Sequence, residues 1–82
     1  MILITIHDRQ TGFNPPMVQA TEGSAIRWFG ELCNDEKNPL HNHPEDFELQ
    51  VVGEFDEYKC IHNLCEPRTI AKATQFAVKK TN

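Results

Sequence analysis

The sequence predicts a small α+β domain, an antiparallel sheet of three or four strands with one helix packed on one face. Three observations predict it. Residues 1–7 and 47–55 alternate their side chains with the period of a strand. Between Ala25 and Cys33, apolar residues recur at three- and four-residue spacing, the period of a helix. Polar, proline-containing stretches separate these blocks.

Met1–His7 reads as a strand, with Ile2, Ile4 and Ile6 on one face and Leu3, Thr5 and His7 on the other. A strand apolar on one side and mixed on the other suits an open sheet covered on one face. Asp8–Pro16 reads as a loop, with a turn at Thr11-Gly12 and Pro15-Pro16 holding the chain extended. Met17–Ala20 is a short strand or extended arm.

The clearest helix runs from about Glu22 to Asn34, with Thr21 and Ser24 as capping candidates. Ala25, Ile26, Phe29, Leu32 and Cys33 form its apolar stripe, and Trp28 lies partly off it. Gly30 inside a helix costs roughly 1 kcal/mol relative to Ala and marks close packing against another element. Asn34–Asp46, with Asn38-Pro39 and His43-Pro44, reads as a loop. Phe47–Phe55 is the best strand, Asp56-Glu57 a tight turn, and Tyr58–His62 the returning arm of a hairpin. Pro67 begins a last segment of ambiguous type, read as a short strand near Thr69–Ala73 followed by a flexible basic tail at 78–82.

Composition narrows the function. The chain has 82 residues and a net charge of −4, from eight Lys plus Arg against twelve Asp plus Glu. That length makes residues 1–82 a single domain with a thin core, for which self-association is a natural support. No apolar run approaches the roughly 18 residues of a membrane span, and Met1–Ile6 is too short for a signal peptide. A generic basic nucleic-acid binder is disfavoured by a pI of about 5.4. Cys33, Cys60 and Cys65 are odd in number, which points to reduced cytosolic thiols.

One pair of motifs carries a resemblance. His43-Pro44-Glu45-Asp46-Phe47, followed by Gly53-Glu54-Phe55-Asp56, resembles the small non-structural protein of gokushovirus-like microviruses, phages with circular single-stranded DNA genomes. The first strand, Pro15-Pro16, the single helix and the two acidic motifs occur in the order of that family, and the resemblance spans residues 1–58. It implies a non-virion protein in the cytoplasm of the infected bacterial host. It further implies a role in viral DNA replication or packaging, with single-stranded DNA as partner. The family brings no catalytic residues, so no enzyme and no cofactor are expected.

The residues can be weighed for that role. Residues 45–58 hold six acids and no base, whereas residues 67–82 hold four bases and no acid. The net charge therefore averages a dipolar molecule. The basic end can neutralise a few phosphates, and single strands stack on exposed aromatic side chains. The candidates are Arg68, Lys72, Lys79, Lys80 and Arg27 for phosphate and Trp28 and Tyr58 for stacking. Phe13, Phe76 and Arg9 are secondary candidates, and the ordinary reading of Phe76 is core.

Cys60-x-His62-x-x-Cys65, with His41 in the preceding loop, offers Cys and His ligands of the kind zinc accepts. The spacing is not that of a standard finger, and a hairpin arm with an inward Cys60 is the ordinary reading. His43 beside Glu45 and Asp46 permits acid–base chemistry. Backbone hydrogen bonding in a proline turn is the stronger account, because no nucleophile or cofactor fingerprint accompanies them. Edge strands and opposite charges at two ends favour a homo-oligomer. An adaptor for a phage or host replication protein, without DNA contact, is the alternative function.

Overall fold

The computed structural model describes residues 1–76, apart from the side chains of residues 61 and 62. The tail expected at 78–82, with Lys79 and Lys80, lies outside the described residues.

Strand β1 (Ile2–Asp8) lies inside the sheet. Its isoleucines face the helix as expected, but Leu3, Ile4, Thr5 and Ile6 are all buried. On its free edge it pairs antiparallel with β2 (Gly12–Phe13) and β3 (Met17–Gln19). Gly12 takes a φ of +105°, a conformation that glycine reaches without steric cost. Between β2 and β3 the chain stays tied to the edge. The Asn14 N–H donates to the Ile6 carbonyl at 3.0 Å, and Thr5 Oγ1 donates to the Asn14 carbonyl at 2.6 Å.

Helix α1 (Glu22–Cys33) starts where the two capping candidates meet. Thr21 Oγ1 accepts from the Ser24 N–H at 3.1 Å, and Ser24 Oγ accepts from the Thr21 N–H at 3.2 Å. That reciprocal pair satisfies two N–H groups the helix start would otherwise leave open. Ala25, Phe29 and Cys33 are fully buried against Ile4, Ile6, Leu49 and Val51, and Ile26, Trp28 and Leu32 pack at the margin. Gly30 does admit a close neighbour: a Cβ there would lie 3.1 Å from Phe76 Cδ1. Phe76 in turn meets Phe29 edge to face, with ring centroids 6.0 Å apart.

The stretch expected to be a loop is largely helical. Helix α2 (Pro39–Asn42) is capped by Asn38, whose Oδ1 accepts from the Leu40 N–H at 3.0 Å. A short 3₁₀ turn covers Pro44–Asp46. Proline opens both, since a missing N–H costs nothing in a first turn, and Leu40 is carried into the core. The polar residues around Leu40 hid this plug. Asp46 was expected to bond backbone through its side chain. Instead its Oδ1 accepts from Gln10 Nε2 at 3.3 Å, while its carbonyl accepts from the Arg9 N–H at 2.8 Å.

Strands β4 (Phe47–Asp56) and β5 (Ile61–Lys72) form a long hairpin. The returning arm begins at Ile61, because the turn occupies Glu57–Cys60 and not Asp56-Glu57 alone. Cys60 is in that turn, at a φ of +53°, and not inward on a strand. Asp56 Oδ1 fixes the turn, accepting from the N–H groups of Tyr58 at 3.0 Å and Lys59 at 3.2 Å. Pro67 does not open a new segment. It lies within β5, which is the sheet's edge strand, where a missing N–H can be tolerated. The sheet has five strands in place of three or four, and the α+β class holds.

Register divides the sheet into two faces. The helix, α2 and a second 3₁₀ turn after β5 (Ala73–Gln75) contribute to the core on the Ile4–Leu49 side. On the opposite face one row crosses four strands, with Phe13 beside His7, His7 beside Glu48, and Glu48 beside Lys72. A second row sets Gln50 between Thr5 and Thr69.

Candidate nucleic-acid interface

The expected binding residues do not converge on one patch. Arg68 pairs with Val51, on the helix side of the sheet, and its Nη2 lies 2.6 Å from Glu22 Oε2. Glu22 raises the pKa of this guanidinium, chiefly through that hydrogen bond, and takes up part of its charge. Arg27 is exposed on α1, while the neighbouring Trp28 is half-buried against the core. Trp28 therefore offers an edge and not an open ring. Phe76 packs on Phe29 and Gly30, as the core reading expected. Lys79 and Lys80 lie outside the described residues.

Among the described residues, two places remain where an aromatic ring and a cation are both accessible. The first is the hairpin tip. Tyr58 is 92% exposed, its backbone N–H held by Asp56 Oδ1, and Lys59 follows it. Lys59 went unremarked in the sequence because the acidic block dominates its surroundings; its adjacency to Tyr58 was the available signal. The second is the outer row. Phe13, 58% exposed, stacks on His7 with centroids 4.4 Å apart and planes at 27°. Beyond it, His7 Nδ1 lies 3.7 Å from Glu48 Oε1. Lys72 closes the row and shares a hollow of about 210 Å³ with Arg9, Glu45 and Glu48.

The middle of that face is polar and tightly held. Gln50 Nε2 donates to Thr69 Oγ1 at 3.1 Å, yet Gln50 Oε1 and His7 Nδ1 are buried without a hydrogen-bond partner. Buried polar atoms of this kind are normally paired with protein, water or a ligand. An antiparallel sheet with a helix behind it and aromatic and cationic groups in front can stack and neutralise a single strand.

The metal candidates are scattered. His41 is on α2, its Nδ1 3.0 Å from the Cys33 carbonyl, whereas Cys60 is at the hairpin turn and Cys65 is exposed on β5. The His62 side chain is outside the description. Among the described residues no group of three His, Cys, Asp or Glu side chains could hold a metal ion. The thiols differ in another way. Burial pushes the Cys33 thiol up to about 11, while Cys60 and Cys65 are exposed. An aromatic disulfide reagent at neutral pH is therefore expected to titrate two thiols quickly, and the third only after unfolding. Three fast thiols would contradict the packing of α1.

This architecture has relatives. A family model described as Phage ORF5 protein matches residues 1–76. The chain belongs to that family. The match runs past the two acidic motifs and through the hairpin, so Cys60 in its turn and Cys65 on β5 fall within the matched region. The chain is also similar to Protein ORF5 of Chlamydia phage 1, a gokushovirus, with 36% identity over 64 residues. That alignment covers 72% of this chain and 67% of the relative. It is a small phage protein of gokushovirus type. No solved structure matches it. Among the described residues of this Phage ORF5 protein, no helix is long and apolar enough to cross a membrane.

Proposed function

We propose that this protein acts in viral DNA replication or packaging in the host cytoplasm, as a non-enzymatic protein that binds single-stranded DNA and works as an oligomer. The observation that carries the reading is the outer sheet row. An exposed Phe13 ring, pre-stacked on His7, shares one face with Lys72, and on that face Gln50 Oε1 and His7 Nδ1 are buried without a hydrogen bond. Phe13 and Tyr58 supply stacking, and Lys72, Lys59 and Arg9 supply charge. Arg27 and Trp28 on α1 and Arg68 beside Glu22 lie on the helix side of the sheet, apart from this face, and Lys79 and Lys80 lie outside the described residues. The cations on the described surface are few, so single-chain affinity is modest and an oligomer raises it by avidity.

A second reading, an adaptor for a phage or host replication protein, is favoured by one observation. Acidic Glu54 and Glu57 are exposed on the hairpin and would repel a phosphate backbone. Salt separates the two. Fluorescence anisotropy with a labelled oligothymidylate is expected to show binding that weakens roughly tenfold between about 50 and 200 mM salt, as a few phosphate contacts require. No anisotropy change at either salt concentration would favour the adaptor.

A further inference from the structure

The long hairpin continues past the start of α1, so part of the helix-side face of the sheet is left uncovered there. Two adjoining hollows occupy this place, of about 430 Å³ and 310 Å³, and both are lined by Ile2, Glu54 and Asn63. Ile2, Glu54 and Asn63 are aligned across β1, β4 and β5, which makes the hollows one groove over a single row. Its floor is partly apolar. Its outer end is acidic, with Glu54, Asp56 and Glu57, and its inner wall is the Glu22–Arg68 pair. Such a groove fits an extended segment that carries apolar and cationic side chains together.

The chain itself contains such a segment, Ala77-Val78-Lys79-Lys80. We propose that the hairpin groove receives the basic C-terminal segment of a second copy. The register argues for a second copy over the same one. Lys72 pairs with Glu48, and the 3₁₀ turn that follows it packs beside Pro44–Asp46, at the end of the sheet away from the hairpin turn. From Glu48 to Glu54 is six residues of β4, about 20 Å at strand rise. Lys79 and Lys80 follow Phe76 by three and four residues, at most about 14 Å of extended chain. A chain's own lysines would therefore fall short of Glu57, whereas a partner lying antiparallel alongside presents its lysines at the acidic tip. Two such contacts related by a two-fold axis close a dimer without leaving a free groove. This deepens the oligomer in the proposed function and rests on that reading only for its purpose, since the contact needs no DNA.

The test is a charge exchange in the full chain, read by size-exclusion chromatography with light scattering at about 50 mM salt. Wild type is expected at twice the 9.4 kDa chain mass. The pair Glu54→Lys, Glu57→Lys and the pair Lys79→Glu, Lys80→Glu should each weaken self-association roughly tenfold or more. Combining all four should restore the dimer. The milder pair Glu54→Gln, Glu57→Gln should weaken it as well, and it stands in if the lysine pair does not fold. A monomeric wild type, a dimer indifferent to either pair, or no restoration in the combined variant would overturn the proposal. Anisotropy on the same samples keeps the two readings apart. A monomeric wild type that binds DNA defeats the groove contact and leaves the DNA reading standing, and a dimeric wild type that binds none defeats the DNA reading alone.

Discussion

Phe29→Ala is expected to cost about 3–5 kcal/mol, the range for removing a buried phenyl ring. Phe29 is fully buried and, among the described residues, the largest of the completely buried side chains. It joins α1 to the sheet and also receives the edge of Phe76, so its loss frees two contacts. A domain of this size has a total stability of roughly 4–12 kcal/mol. The variant should therefore melt roughly 12–40 °C lower, or be substantially unfolded at 25 °C. Thermal circular dichroism checks this, with Phe13→Ala as the control expected to stay within about 0.5 kcal/mol of wild type. A shift of only a few degrees for Phe29→Ala would contradict the packing of α1 described above.

The second large effect falls on Gly53. A Cβ at this position would collide with the Asn63 backbone carbonyl and lie 3.1 Å from Leu64 Cα. Both neighbours are main chain, so no rotamer change relieves the clash, and Gly53 sits beside register shifts toward both β1 and β5. Gly53→Ala should cost about 1–3 kcal/mol or more through overpacking. Urea unfolding measures the cost, and faster amide exchange at Asn63 and Leu64 should locate it. Gly30→Ala provides the contrast. There the neighbour is the Phe76 ring, a side chain that can give, and the helix gains roughly 1 kcal/mol of propensity. The two glycines should therefore rank clearly apart, and equal costs would contradict the assigned register.

Those two positions also mark what the sequence made legible. The alternation in Met1–His7 and Phe47–Phe55 and the Ala25–Cys33 stripe are local signals, and the corresponding elements formed within a residue or two of the expected bounds, as Ile2–Asp8, Phe47–Asp56 and Glu22–Cys33. Gly30 pointed correctly to a close neighbour. Pro67 misled because a proline reports a missing N–H and not which edge of a sheet it faces, and β5 turned out to be an edge strand. Leu40 misled because a single apolar residue among polar ones has no periodicity to read. The site was less legible than the fold. Arg68, Lys72 and Trp28 were chosen by residue type, but Arg68 is held by Glu22 and Trp28 is half-buried. The row from Phe13 to Lys72 joins residues far apart in sequence, and only register brings them side by side.

That a single strand lies on the outer sheet face is tested by amide chemical-shift mapping of labelled protein titrated with an oligothymidylate. Shifts are expected at His7, Phe13, Thr69 and Lys72, with Tyr58 and Lys59 at the hairpin tip, and little change along α1. Replacing Phe13 with alanine should then weaken binding on the order of 5- to 150-fold, the loss of one base stack. Shifts confined to the Arg27 side of α1, or none at saturating oligonucleotide, would contradict it.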